Sequence, residues 1–405
     1  IKQEKIKDAE SLKFIKDEYK VLKSELDKNI KTFYLIRDRL GQKPLYYNLT
    51  ESTFSFSSNL KTLLEITDNN EICYKQVNEY LKYGAIKSPN TLFKNFKSVM
   101  PAEILTINYS KNEFVIKKDI YWDLIDYYDN KEFIYGEFEE ILNESIKIRK
   151  TADVPVASFL SGGIDSTSIV RKLSQDDSSV NTFSVEVQDK NYDESKWSQQ
   201  VADTYNTNHK SVQITSDISN TAIEEAISSL DEPYSDPSVV PSYLLSKEIS
   251  KFYKVALSGD GGDELLGGYV RTNLSLLEKG FFSNLISKLY HIYPARLGTG
   301  NYFLSKSKDI KQRYPSFLED LKLLKLLGID SKSQVNNLTF KKKLNNYKSL
   351  LFIDYQFYLP EMMLFKIDRT AMANSLEIRS PFVDHKLIEY IFSHDNKYFI
   401  NGISK

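Results

Sequence analysis

A single cysteine, Cys73, stands in 405 residues. This scarcity excludes an internal disulfide framework and any zinc site built on several cysteines, and it fits a reducing, cytoplasmic setting. Histidine is nearly as rare. His209, His291, His385 and His394 are scattered along the chain and read as ordinary core or surface residues rather than ligands. No apolar run approaches the roughly 20 residues that a membrane-spanning helix needs, and the lysine-rich start lacks the apolar stretch of a signal peptide. An excess of one charge is missing too, because 54 lysines and arginines face 55 acidic residues. Such a balance sets up no broad field for nucleic acid or an anionic membrane, so small molecules are the expected partners. The 27 tyrosines have no interleaved basic stripe and read as packing rather than base stacking. Ile1 stands where an initiator methionine would, and Ile403-Ser404-Lys405 carries no terminating pattern, so a fragment is expected.

What is present falls into two textures, and the length suits two domains. Residues 1–30 are rich in lysine and glutamate with Leu, Ile and Phe at helical spacing, which predicts solvated helices. From Phe33 to Tyr121, β-rich runs at Lys31 to Ile36, Phe54 to Ser57 and Ile104 to Ile107 are punctuated by Gly41, Pro44 and Pro101. They predict one antiparallel layer. A polar, tyrosine-rich stretch from Asp123 to Glu132 then precedes an amphipathic helix near Phe133 to Ile148, which sets the domains at 1–125 and 130–405. Beyond it, strands at Val154 to Leu160, Asn181 to Val187 and Lys254 to Leu257 alternate with helices, the first at Thr167 to Leu173. Alternation of this kind implies a parallel sheet covered on both faces. Residues 270–350 read as mainly helical, without a chemical motif.

Three clusters carry chemistry. The first is Ser161-Gly162-Gly163-Ile164-Asp165-Ser166, between a strand and a helix. Its glycines allow backbone to approach a phosphate, Ser161, Ser166 and Thr167 supply hydroxyls, and the following helix points its positive end at an anion. Asp165 would repel a phosphate directly, and it makes sense with Mg²⁺ between the two anions. A glycine turn with Asp165 as a simple helix cap is the structural alternative. The second cluster runs from Ser258 to Tyr269 and holds Gly259, Asp260, Gly261, Gly262, Asp263, Glu264, Gly267 and Gly268. If its strand lies near the first, Asp263 joins Asp165 around one Mg²⁺ at the carboxyl ends of the sheet; a solvated hairpin-like turn is the alternative. The third is Lys366-Ile367-Asp368-Arg369 followed by Ser375 to Asp384. Lys366 and Arg369 are one helical turn apart and would neutralise a leaving pyrophosphate, or else are two surface cations.

Together these motifs resemble the synthetase domain of the asparagine synthetase family, with its Ser-Gly-Gly-x-Asp-Ser, Ser-Gly-x-Gly-x-Asp-Glu-x-x-Gly-Gly-Tyr and Leu-Glu-x-Arg-x-Pro-Phe segments in the same order. Phe183-Ser184-Val185, Tyr192-Asp193-Glu194-Ser195 and Asp231-Glu232-Pro233-Tyr234-Ser235-Asp236-Pro237 are similar to intervening segments. Ile36-Arg37-Asp38-Arg39-Leu40-Gly41-Gln42-Lys43-Pro44-Leu45-Tyr46-Tyr47 resembles the closing part of the family's glutaminase domain. The resemblance implies an α/β, PP-loop ATP pyrophosphatase domain of the adenine nucleotide α-hydrolase type. An incomplete antiparallel α+β domain of the Ntn-hydrolase type would precede it.

By the same resemblance the cofactors are ATP and Mg²⁺, and the reaction adenylates the side-chain carboxylate of aspartate before ammonia attacks. Leu160, Val185, Ser258 and Gly259 would contact the nucleotide, and Asp260 would serve intermediate formation or ammonia attack. The family's glutaminase nucleophile is a cysteine at the mature amino terminus, so glutamine hydrolysis is assigned to no residue of this chain. A homodimer is compatible with this reading. The alternatives are a related amidotransferase or β-lactam-synthetase-like ligase acting on a sugar or peptide acid, a tRNA-adenylating enzyme, and a non-catalytic protein that kept the fold. The tRNA reading is opposed by one cysteine and balanced charge.

Overall fold

The computed structural model describes residues 32–50, 53–67, 70–110, 113–177, 179–190, 193–214, 219–276, 321–328 and 341–395, the backbone of 23–27, and a few single positions between 285 and 319. Most of the helices expected before residue 30, Tyr192, His291 and most of the segment 277–340 lie outside the described residues. Within them, no helix is long and apolar enough to cross a membrane.

In the first part of the chain, alternating apolar residues build strands that bury one face. The strands β1 (Lys23–Asp27), β2 (Thr32–Ile36), β6 (Glu103–Ser110) and β7 (Glu113–Ile120) form an antiparallel sheet in that order. A second sheet holds β4 (Phe54–Ser57), β3 (Tyr46–Leu49) and β5 (Phe96–Ser98). The expected single layer is therefore two. Tyr47 explains why: with Val99 it packs on Leu35, Leu105 and Ile107 of the first sheet. Tyr46, pointing the other way along the same strand, packs on Leu60 and Leu63 of α1 (Leu60–Thr67). A strand buried on both faces must lie between two layers. Residues 23–27 also depart from the helical expectation, because pairing with β2 overrides local spacing.

The second part is a five-stranded, wholly parallel sheet, as the alternating pattern predicts. Its strands are β8 (Val156–Phe159), β9 (Asn181–Val187), β10 (Asn208–Ile214), β11 (Val255–Leu257) and β12 (Glu377–Arg379). Their spatial order is β10-β9-β8-β11-β12. The chain moves outward from β8 through β9 to β10, then returns to β11 on the opposite side. The order thus reverses between β8 and β11, and such a switch leaves a crevice at the carboxyl ends of those two strands. On one face Ala157, Phe183 and Ala256 pack with Leu245 and Ile249 of α6 (Val239–Ile249) and Ala371 of α9 (Phe365–Met372). Towards the other face, Leu160 packs with Val170 of α4 (Ile164–Asp176) and Ala202 of α5 (Ser195–Tyr205).

Candidate active site

Both glycine-rich loops emerge at the switch point, one after β8 and one after β11, and they touch. Gly162 has φ +83°, and a Cβ on it would lie 2.6 Å from Trp197 of α5, so only glycine fits this turn. Ser161 and Ser166 lock the loop onto its helix. The Ser161 N–H donates to Ser166 Oγ at 3.2 Å, the two hydroxyls are 3.0 Å apart, and Ser166 Oγ donates to the Gly163 carbonyl at 3.2 Å. No side chain caps α4, whose N-cap is Gly163. The simple-cap alternative for Asp165 therefore lacks its hydrogen bond, and the start of a 13-residue helix is left for an anion.

The second loop is a tight turn into the short helix α7 (Gly262–Leu266) rather than a hairpin. Gly261 sits at φ +90° with Val383 against it. Gly262 faces Asp165, and a Cβ there would come within 2.6 and 2.7 Å of the two carboxylate oxygens. At Gly259 a Cβ would stand 3.0 Å from the Ser166 nitrogen. The glycines thus let one loop lie directly on the other.

That apposition crowds negative charge. Burial, then the neighbouring Asp263 and Asp260, push the Asp165 carboxyl up to about 6. Asp263 is exposed, and Asp165 and Asp260 are half-buried, so all three belong to one rim. A divalent cation between Asp165 and Asp263 would relieve their repulsion, which is the fit expected of an oxygen-ligated metal. Among the described residues no group of three or more acidic, His or Cys side chains forms a ready-made metal centre. Ser258 is 1 % exposed and its hydroxyl has no protein partner, while its N–H donates to the Arg379 carbonyl at 3.1 Å.

A cavity of about 190 Å³ lies beside the first loop, lined among others by Phe159, Leu160, Ser161, Ser184, Val185 and Leu245. It joins the expected nucleotide contacts Leu160 and Val185 to the glycine-rich loop after β8. Apolar walls with a polar mouth suit a planar base whose phosphates reach the helix terminus.

Lys366 and Arg369 do not face a common ligand. Lys366 is 6 % exposed, and its Nζ lies 2.8 Å from Ser238 Oγ and 3.5 Å from Asp236 Oδ2. Burial alone would raise the Asp236 carboxyl, but Lys366 and hydrogen bonds from Ser238 hold it low. Burial first, then the Asp236 carboxylate, raises the Tyr234 phenol, whose hydroxyl donates to the Met362 carbonyl at 2.8 Å. Arg369 points into the junction with the first sheets, where it pairs with Asp231 and donates to the Ser58 carbonyl. The described contacts bring neither cation to Asp165.

Three further groups escape sequence reasoning. Glu264 is 1 % exposed and accepts a 2.6 Å hydrogen bond from Tyr269 Oη; burial pushes its carboxyl up to about 8. The Asp236–Ser238 clamp on Lys366 is hidden in a segment that matters only once α9 docks on it. Arg149, at the end of the helix α3 (Tyr135–Lys150), is buried against Asp384 at 2.7 Å.

With this geometry in place, comparison with known sequences is decisive. The asparagine synthase profile matches residues 137–405, well over half of the chain. The chain belongs to the asparagine synthase family. A glutamine amidotransferase domain profile matches residues 25–122. A putative asparagine synthetase [glutamine-hydrolyzing] 2 of Methanocaldococcus jannaschii is 38 % identical over 271 residues, covering 65 % of this chain and 51 % of the relative. Asparagine synthetase [glutamine-hydrolyzing] 1 of Bacillus subtilis is 29 % identical over 378 residues, 88 % of this chain and 59 % of the relative. Amidase chyE of Penicillium rubens is 25 % identical over 432 aligned residues, 90 % of this chain and 61 % of its own length. The chain therefore spans about half to three fifths of the relatives it matches. Within this family, the parallel sheet with a glycine loop after β8 fits the PP-loop fold.

Proposed function

We propose that the site forms an amide from a carboxylic acid, ATP and ammonia, and that the acid is aspartate. The observation that carries this reading is the apposition of Asp165 and Gly262, which places two acidic loops and an uncapped helix terminus at one switch point. A carboxylate resists ammonia because it is already negative and has no good leaving group. Attack of its oxygen on the α-phosphorus of ATP breaks the bond to the β-phosphate and yields an acyl-adenylate with release of pyrophosphate. Ammonia then adds at the acyl carbon and AMP leaves, giving asparagine.

The residues divide this work by position. Ser161, Gly162, Gly163 and Ser166 cradle phosphate with backbone amides and hydroxyls, and Leu160, Val185, Ser258 and Gly259 hold the rest of the nucleotide. Asp165 and Asp263 would hold Mg²⁺, which when bound offsets the charge of the leaving pyrophosphate. Asp260 accepts the proton that ammonia loses on attack. Lys366 supplies a buried positive charge on the synthase side. The glutamine amidotransferase domain match over residues 25–122 supports glutamine as the nitrogen source.

A second reading keeps the same chemistry on a different acid; a relative matched over 90 % of this chain carries a name other than asparagine synthetase. Another acid, such as a sugar or peptide carboxylate, then replaces aspartate. Measuring AMP and amide from aspartate, ammonia and ATP separates the two. Turnover with another acid and none with aspartate would sink the first.

A further inference from the structure

The cation assigned from sequence to pyrophosphate, Arg369, has a different setting in the fold. The helix α9 is short, and three polar positions on it grip two domains. Lys366 turns to Asp236 and Ser238 on the synthase side. Asp368, 7 % exposed, takes the Lys43 ammonium at 2.6 Å. Arg369 takes Asp231 and the Ser58 carbonyl, and its guanidinium lies 5.9 Å from the Tyr46 ring centre. Lys43, Ser58 and Tyr46 all lie in residues 25–122, matched by the amidotransferase profile.

Lys43 is itself held rigidly. The Asp38 carboxylate accepts the N–H groups of Leu40, Gln42 and Lys43 at 3.1, 2.9 and 3.0 Å, and Arg37 Nε donates to the Lys43 carbonyl at 3.0 Å. The seam continues in one chemical pattern: carboxylates of the synthase part accept backbone amides of the first part. Asp231 Oδ2 accepts from Leu60 at 3.1 Å, Glu232 Oε1 from Leu92 at 2.8 Å, and Glu361 Oε1 from Ser88 at 2.9 Å. Side chains could be exchanged in such a seam, but the amides fix its register.

The geometry points to α9 as a two-ended positioning element. Lys43 and the Arg369–Asp231 pair anchor it to the amidotransferase part, while Lys366 holds Asp236 and Ser238. The chain beyond α9 runs through β12 to Ser380, whose hydroxyl donates to the Ser258 carbonyl of the second loop at 3.4 Å. The first part is then required for the second part's chemistry even when free ammonia is supplied and glutamine hydrolysis is bypassed. This inference rests on the proposed function for its turnover readout only. Lys43 and Arg369 act through the placement of α9 and the second loop and are positioning residues.

The test uses the full-length protein with Lys43→Met and, as the conservative control, Lys43→Arg. Hydrogen exchange is read at the backbone amides of 365–372 without substrates, and ammonia-driven pyrophosphate release is read with aspartate and ATP. Lys43→Met is expected to speed exchange in α9 several-fold and to lower kcat about tenfold, with KM for ATP close to that of the parent, as a small misplacement of a remote group does. Lys43→Arg restores both. Unchanged exchange in α9, or faster exchange with kcat unchanged, overturns the inference. Should Lys43→Met fail to fold, Arg369→Lys takes its place: faster exchange with lowered kcat supports the inference, and either unchanged quantity overturns it. A parent protein silent with aspartate removes the substrate reading, while the exchange arm still decides whether Lys43 anchors α9.

Discussion

The carboxylate of Asp165 lies against the bare α-carbon of Gly262, so that even a methyl group there would sit 2.6 Å from one of its oxygens. Two loops separated by nearly a hundred residues are thus fitted together without a side chain between them. Gly262→Ala is expected to push Asp165 aside and to cost on the order of a hundredfold in kcat, since displacements near 1 Å have that effect. Its thermal midpoint should change much less, because Asp165, the side chain displaced, is only half-buried. Steady-state pyrophosphate release beside a melting curve checks both halves; a fully active variant would contradict the close fit.

Asp165 should be needed as an anion. Its carboxyl is pushed up to about 6, so activity should fall on acidification through that value, and added Mg²⁺ should move the acid limb to lower pH by competing with the proton. The stability sign is opposite. A carboxyl raised in the folded state favours folding at low pH, and that contribution is lost as pH rises from the ordinary value of 3.8 to about 6. Asp165→Asn is therefore expected to be inactive yet slightly more stable than the parent at pH 7.5. An active Asn variant would remove the carboxylate from the mechanism.

How far these features can be read from sequence depends on where their causes lie. The bounds of β9 are legible because Asn181–Val187 is flanked by turn residues and carries its own apolar pattern. β10 is not, for it is an edge strand with mostly polar, half-exposed residues, and neither is β12, because three residues within a motif give no periodicity. The glycine-rich turn after β8 is legible since its glycines act on backbone within a few residues. By contrast, spacing shows that Lys366 and Arg369 share a helix but not which partners await them. Arg369 meets Asp231 across 138 positions, and only tertiary docking creates that pair. The single-layer expectation for the first domain fails for the same reason, since nothing local marks Tyr46 and Tyr47 as facing different layers.

Glu264 offers a second titration with a clean sign. Burial raises its carboxyl to about 8, so it is largely protonated at neutral pH, and stability should decline as pH rises from the ordinary value of 4.5 through about 8. Glu264→Gln keeps the shape and an acceptor for the Tyr269 hydroxyl at 2.6 Å. Near pH 6 it should match the parent, and near pH 9 it should melt higher. Parallel curves for the two proteins across that range would show that Glu264 does not titrate there.

The pair Arg149–Asp384 fixes the Pro381–Asp384 turn beneath the second loop, where Val383 closes on Gly261. Arg149 Nη1 also donates to Ser145 Oγ at 2.7 Å and its Nη2 to the Val383 carbonyl at 3.2 Å. Burial alone would raise the Asp384 carboxyl, but the Arg149 guanidinium and the Lys386 N–H hold it below the ordinary 3.8. Its contribution to stability is therefore present above that value and is lost as pH falls below it. Arg149→Met leaves a buried carboxylate and freed carbonyls without their cation, a loss of about 3 to 5 kcal/mol. Denaturant unfolding should show a loss of that size at pH 7 that shrinks towards pH 3, as Asp384 protonates in the variant. A constant difference across the range would mean that the arginine acts by packing alone.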